Sequence, residues 1–429
     1  MTMKETRKYK QTELGLLPED WEVVKLGEKF RFISNNTFSR DFLCEDGEIK
    51  NIHYGDVLIK YGSTLDVSQS DIPAINSELL PSYKPKCFAE DGDIVIADTA
   101  EDETVCKATE LWNIGGKWVV AGLHTMWCRP AQNTFAIKFL GYFMNTSLYH
   151  NQVLPLIQGI KVSSVSKSAI QGTLLCIPPI EEQRRIASAL TSIDNLIDSL
   201  DRLIAKKRDI KQGAMQQLLS GKKRLKGFTE PWMEKNLGDI GFFLKGSGIS
   251  KSQANSGTLC AVRYGELYTL HHNYIKTYNS HISKDVAQFA TKIQKGDILF
   301  ACSGETKEEI GKCAAFVDDV EAYAGGDILI LRTDQEQCSE IFLGFLLNMP
   351  IAANQKAAKG QGDAVVHISK EALSNINCLF PSKEEQQTIA SVLTSMDNEL
   401  SALEAKRKKY EQIKQGMMQQ LLTGRISLN

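Results

Sequence analysis

No apolar run in this sequence approaches the length of a membrane span, and the polar N-terminus lacks the apolar core of a signal peptide. A spanning helix needs about 20 predominantly apolar residues, so no membrane role is expected and the cytoplasm is the expected location. Cys-x-x-Cys pairs and His/Cys clusters are missing too: the ten cysteines are scattered. They read as reduced, mostly buried thiols, not as a disulfide framework or a zinc site. Neither sign of charge is in excess, with 50 Lys plus Arg against 52 Asp plus Glu. A chain that grips nucleic acid by itself is usually more basic. Basic groups gathered on one surface, or partner subunits, would have to supply such a grip.

Catalytic signatures are equally scarce. Ile177-Pro178-Pro179-Ile180 has the prolines of an adenine-methyltransferase turn but neither the polar residue before them nor the aromatic after, and reads as a helix lead-in. Gly311-Lys312 is followed by Cys313 and has no upstream glycine, which excludes a phosphate loop. Asp297 with Glu305-Thr306-Lys307 spells a nuclease-like Asp…Glu-x-Lys, in which two carboxylates hold Mg²⁺. The equivalent loop, Asp98 to Lys107, is acidic but lacks the Glu-x-Lys, so a solvated loop is the better reading.

What the chain does contain is a repeat of itself. Residues 176–225 and 380–428 align without a gap, Gln183 with Gln386 and Gly221 with Gly424, and about half the positions are identical. Each copy has proline, then Glu-Glu-Gln, then a long helical pattern that ends on glycine, the expected punctuation of a helix. Ile186, Leu190, Ile193, Ile197 and Leu200 are spaced alternately four and three, and Ile389, Leu393, Met396, Leu400 and Leu403 repeat the register. Such spacing predicts a coiled-coil seam, and the two helices, on the order of 55 Å long, are expected to pack as an antiparallel pair.

The repeat extends beyond the helices. Tyr54-Gly55-Asp56 parallels Tyr264-Gly265-Glu266, Gly92-Asp93-Ile94 parallels Gly296-Asp297-Ile298, and Phe139-Leu140-Gly141 parallels Phe342-Leu343-Gly344. Short alternating apolar runs suit strands and Leu/Phe-rich runs suit short helices. The expected fold is α+β: two pseudo-two-fold-related mixed domains separated by an antiparallel pair of long coiled-coil helices. Its parts are an N-terminal segment 1–20 packing near the C-terminal end, a first domain 21–179, a central helix 180–221, a linker with second domain 222–380, and a C-terminal helix 381–429. Loops 60–86, 98–118 and 268–292 diverge, and a shared scaffold with different loops suggests two sites of one kind with different specificities.

Lys206-Lys207-Arg208 and Lys406-Arg407-Lys408-Lys409 read as a solvated face favoured by the helix dipole, the alternative being contact with DNA phosphate. Lys211-Gln212-Gly213 with Gln216-Gln217, and Lys414-Gln415-Gly416 with Gln419-Gln420, are polar yet nearly unchanged between copies. Both tails are expected to dock onto something identical, either each unit's own pole or two copies of one partner. His271-His272 has no nearby Cys, Asp or Glu to complete a metal set and reads as a polar loop or a base contact.

Taken with Tyr9-Lys10-Gln11-Thr12-Glu13 through Trp21, the two Pro…Glu-Gln…Ile-Ala segments and the two Lys-Gln-Gly…Met-Gln-Gln-Leu-Leu…Gly endings make the chain resemble the DNA-specificity subunit of a type I restriction–modification enzyme. The match covers essentially the whole chain. Ser382-Lys383 departs from the usual second proline and apolar residue. The resemblance implies a non-catalytic subunit with two target-recognition domains, each reading half of a bipartite site in double-stranded DNA. It implies as partners two methylation subunits carrying S-adenosylmethionine, and restriction subunits that use ATP and Mg. Partner contacts are expected at Gln183, Gln216, Gln217, Gln386, Gln419 and Gln420. A metal-dependent nuclease and a coiled-coil scaffold without DNA are the competing readings.

Side chains that read base edges are expected on landmark strand ends and loops. His53/Tyr54 and Arg263/Tyr264 hold equivalent places in the two units. Gly159-Ile160-Lys161-Val162-Ser163 and Gly360-Gln361-Gly362-Asp363 form equivalent glycine turns, which nominates Lys161, Ser163 and Gln361. His271, His272, Asn273 and Lys276 complete the set from the most polar-aromatic loop of the second unit.

Overall fold

The structure, a computed structural model, describes residues 7–159, 161–362 and 365–428. Ile160, Asp363 and Ala364 of the two glycine turns lie outside the described residues. The fold is α+β, built as two units: Met1–Asp201 with Ala405–Asn429, and Arg202–Glu404. Among the described residues no helix is long and apolar enough to cross a membrane.

In the first unit a five-stranded sheet runs in the order Phe30–Ile33, Thr125–Pro130, Ile94–Ala97, Ala108–Trp112, Thr64–Asp66, antiparallel except for the last pair. The second unit repeats it with Gly241–Lys245, Ile328–Thr333, Asp297–Ala301, Cys313–Ala315 and Asn273–Tyr274. A smaller sheet adjoins each, built on a parallel pair, Ile49–Ile52 with Trp118–Ala121 and Leu259–Val262 with Ala322–Ala324. The units diverge at its edges: Thr291–Ile293 pairs with Ala322–Ala324, whereas Trp118–Ala121 is itself an edge strand.

The Gly-Asp landmark is a clamp between neighbouring strands. Asp93 and Asp297 are fully buried, and each carboxylate takes two guanidinium hydrogen bonds, from Arg129 (both 2.7 Å) and from Arg332 (2.9 and 2.8 Å). The Phe-Leu-Gly landmark is a short helix pressed on the sheet edge. A Cβ on Gly141 would lie 2.1 Å from the Ser63 carbonyl oxygen, and one on Gly344 would lie 1.9 Å from that of Asn273. Only glycine permits that approach.

The long helices span Ile180–Leu218 and Lys383–Leu421, 39 residues each. Glutamates fill each first turn, where the helix dipole favours them. The second glutamate is tied inward: Glu182 accepts from Trp21 Nε1 (3.0 Å) and Arg7 (2.7 Å), and Glu385 from Trp232 Nε1 (3.2 Å) and Arg224 (2.7 and 2.6 Å). The expected seam divides in two. Ile186 and Leu190 are buried in the core of their own globular segment with Phe139 and Phe143, as are Ile389 and Leu393 with Phe342 and Phe345. These early positions serve docking of the globular segment as well as the helix pair, whose other member adds Leu421 and Leu422 to the first core and Leu218 and Leu219 to the second. Farther along, Ile197, Leu200 and Leu400 are buried and Ile193, Met396 and Leu403 half-buried.

Within each unit the helices run antiparallel, low numbers on one meeting high numbers on the other. The first unit pairs Asp194 with Lys414 (2.6 Å) and Asp201 with Arg407; the second pairs Lys211 with Asp397, Lys207 with Glu399 (2.6 Å) and Arg208 with Glu404 (2.6 Å). Lys207, Arg208 and Arg407 of the basic runs are therefore spent on fixing helix register, an outcome neither a solvated face nor phosphate contact anticipates.

Candidate nucleic-acid interface

The side chains nominated as base readers fall into two groups. In the first unit a rim forms where strands Ile94–Ala97 and Thr125–Pro130 meet the short helix Tyr54–Ile59. His53 caps that helix: its Nδ1 accepts the Gly55 N–H at 3.1 Å, and the residue is buried. Burial, then the nearby Arg40 cation, lowers its pKa, so the ring stays neutral. His53 thus supports the rim and does not reach a base. Its ring lies 4.7 Å from that of Tyr54, which meets His124 edge-on at 5.3 Å. His124 Nδ1 is 3.3 Å from Thr99 Oγ1, and Thr99–Ala100 pairs with Ser163–Ser164. Tyr54 and half-buried Ser163 therefore belong to one rim, and Lys161, two residues before that strand, is exposed. The hairpin turns at Gly159 (φ 106°), where a Cβ would sit 2.0 Å from the Val162 oxygen.

The second unit builds the same rim from other side chains. Helix Tyr264–Thr269 begins at Arg263, whose backbone N–H donates to Glu266 at 2.9 Å. Arg263 Nε is buried without a hydrogen-bond partner, and no carboxylate pairs with the guanidinium among the described residues. In the first unit Asp56, the counterpart of Glu266, holds Arg40 through two bonds of 2.9 Å. Tyr264 is exposed beside Arg263. Exposed Gln361 bridges to His367, whose Nδ1 is 2.9 Å from Ser303 Oγ, and Ser303–Gly304 pairs with Val366–His367.

The stretch His271–Lys276 lies apart from this rim, past the other end of the helix. His271 is 2 % exposed, its N–H bonds to the Glu266 carbonyl at 2.9 Å, and burial lowers its pKa. It closes the helix and is out of reach of a base, so its nomination fails. Asn273 belongs to the sheet edge, where its Oδ1 accepts from Asn348 at 3.3 Å. His272 and Lys276 are exposed; burial, then Lys312 and Lys211, lowers the pKa of His272.

Two partner-contact residues are also corrected. Gln183 is 1 % exposed: its oxygen accepts the Ala136 N–H (2.9 Å) and its nitrogen donates to the Thr134 and Pro178 carbonyls (3.2 and 2.8 Å). Gln386 does the same with Ser339, Gln337 and Pro381 (3.0, 3.1 and 3.0 Å). Both amides are used inside their own unit. The departure at Ser382-Lys383 leaves this arrangement intact because the bond goes to a backbone carbonyl. Gln216, Gln217 and Gln419 are exposed and Gln420 half-buried. Asp297, the first residue of the nuclease-like spelling, is committed to Arg332 and is lost as a metal ligand.

The profile of the type I restriction modification DNA specificity domain matches this chain twice, at residues 18–206 and 229–415. The chain belongs to that family. The putative type I restriction enzyme MjaX specificity subunit of Methanocaldococcus jannaschii is 23% identical over 441 residues, covering 97% of this chain and 96% of the relative. The MjaVIII specificity subunit of the same organism is 24% identical over 435 residues, 96% and 94% of the two chains. The fold matches the type I system S subunit from M. genitalium with a TM-score of 0.57 at 13% identity, over 97% of this chain and 99% of that one. A chain from work on complex assembly and conformational transition of the type I R-M system gives 0.59 at 17%, over 96% and 99%. The protein is thus a type I specificity subunit, the non-catalytic, DNA-recognising member of its system. Sequence reasoning missed His124, His367, Thr99 and Ser303 in these recognition units. Lone histidines carry no motif, and His124 and His367 do not align between the two copies; the one signal is that His367 lies close after the glycine turn at 360–363.

Proposed function

We propose that each unit reads one half of a bipartite DNA site with its own rim, and that the pair of long helices sets the spacing between the halves. The subunit also scaffolds two methylation subunits, which carry S-adenosylmethionine, and through them restriction subunits that use ATP and Mg. The glutamines of the helix tails, exposed Gln216, Gln217 and Gln419 with half-buried Gln420, are the docking side chains in this reading.

Arg263 is the observation that carries it. A guanidinium with a buried, unpartnered Nε on a rim has no carboxylate partner among the described residues. Guanine O6 and N7 match its fork. The first unit has its arginine tied to a carboxylate at that place, so the two rims present different chemistry on one scaffold. The test is to express the chain with a methylation subunit and sequence methylated bases. One bipartite motif is expected, and exchanging the globular segment of one unit for that of another family member changes one half only. A single contiguous motif, or both halves changing together, refutes the reading.

A further inference from the structure

We infer that His124 reads a base in the first unit's half-site as a hydrogen-bond acceptor, taking the exocyclic amino group of adenine or cytosine. This rests on the DNA-recognition reading above and names a specificity residue within it.

Thr99 Oγ1 donates to Asp98 Oδ1 at 2.8 Å. A hydroxyl has one proton. Towards His124 Nδ1, 3.3 Å away, Thr99 can therefore only accept. Asp98 Oδ1 lies 3.7 Å from the same nitrogen. Both neighbours of Nδ1 are acceptors, so the ring proton sits there. In the neutral imidazole the other nitrogen is then a bare acceptor. Hydroxyl and carboxylate share one ring nitrogen, which is not the arrangement of a hydrolytic triad. Nε2 makes no hydrogen bond among the described residues, and the side chain is 47% exposed. Tyr54 edge-on at 5.3 Å, backed by His53, holds the ring plane.

An acceptor facing DNA has few partners. Phosphate oxygens are themselves acceptors. In the major groove only adenine N6 and cytosine N4 donate. His124 has φ 54° and its counterpart in the second unit, Asp327, has φ 59°, so a left-handed turn before the strand is part of the shared scaffold. In the second unit Cys302 stands where Asp98 does in the first and Asp327 stands where His124 does, so the histidine beside Ser303, His367, comes from the hairpin instead. The acceptor device belongs to the first unit.

The test uses the complex of full-length chain and methylation subunit, with methylated bases mapped in cells. His124→Gly relieves the left-handed strain and removes the imidazole. One position of one half-site should relax from adenine or cytosine to any base, discrimination falling about 5- to 150-fold, the worth of one good base contact. Thr99→Val combined with Asp98→Ala removes both acceptors that hold the proton on Nδ1, so the same position should now admit guanine, which merely structural side chains do not predict. An unchanged motif in both variants, or relaxation at a guanine or thymine position, overturns the inference while the bipartite reading stands. If the native chain directs no bipartite methylation, both fall. Should His124→Gly abolish methylation, the native complex is assayed on oligonucleotides with purine for adenine or 2-pyrimidinone for cytosine. Loss of binding at one position supports the inference, and none at any position overturns it.

Discussion

The indole N–H of Trp21 donates to Glu182 at 3.0 Å, and both residues are buried. With Arg7 on the same carboxylate, the bond fastens the first turn of a long helix to its own globular segment. Glu182→Ala leaves the buried Trp21 N–H without an acceptor and Arg7 with Asp20 (3.3 Å) alone, so a loss of about 1–3 kcal/mol is expected. Thermal unfolding followed by Trp21 fluorescence checks it; a change below ~1 kcal/mol refutes it.

Arg263→Ala removes a cation that has no carboxylate partner among the described residues. Stability should hold within about 0.5 kcal/mol, as for an ordinary surface substitution. Recognition should relax in one half-site by ~1–3 kcal/mol. Equal weakening of both halves marks Arg263 as structural or as a phosphate contact.

Burial in the first unit raises the carboxyl of Glu110 to about 8 from its ordinary 4.5, although the N–H groups of Lys138 and Gly141 bond to it. Raised folded affinity for the proton means that the folded state binds more protons than the unfolded chain between those two values. Stability therefore falls as pH rises from about 5 to 8. Unfolding midpoints across that window should decline, and Glu110→Gln should flatten the decline. A flat native profile excludes the effect.

Insertions test the spacing role. Asp194–Lys414 and Lys211–Asp397 bracket stretches of equal length on the two helices. Four residues added to the first helix alone, between Leu196 and Leu203, cannot satisfy both pairs. Four added to each helix, at matching positions, restore both and lengthen the pair by about 6 Å. The methylated motif should then gain about one or two base pairs of spacer, at ~3.4 Å per pair. An unchanged spacer means that the helices do not measure distance.

The fold was largely legible because repetition exposed it. Gly92-Asp93 and Gly296-Asp297 stood out by recurring, and the clamp with Arg129 and Arg332 explains why. Recurrence does not distinguish a buried amide from an exposed one, so Gln183 and Gln216 carry the same signal in the sequence although only Gln216 is exposed. The rim was harder. Its side chains differ between units, so His124 and His367 share a hydroxyl anchor on equivalent strands but no sequence register. His271 misled because a polar loop spells the same whether its side chain points in or out.

The amides of Gln183 and Gln386 touch only main-chain groups of the segments they hold. Such a socket is blind to side-chain identity. A globular segment that presents the same backbone turn, together with the tryptophan on the second glutamate and the aromatic helix on the apolar stripe, can be seated on the helix however much its outer loops have drifted. Under the function proposed above, exchanging such a segment whole would change vocabulary in one step where point substitution would need many.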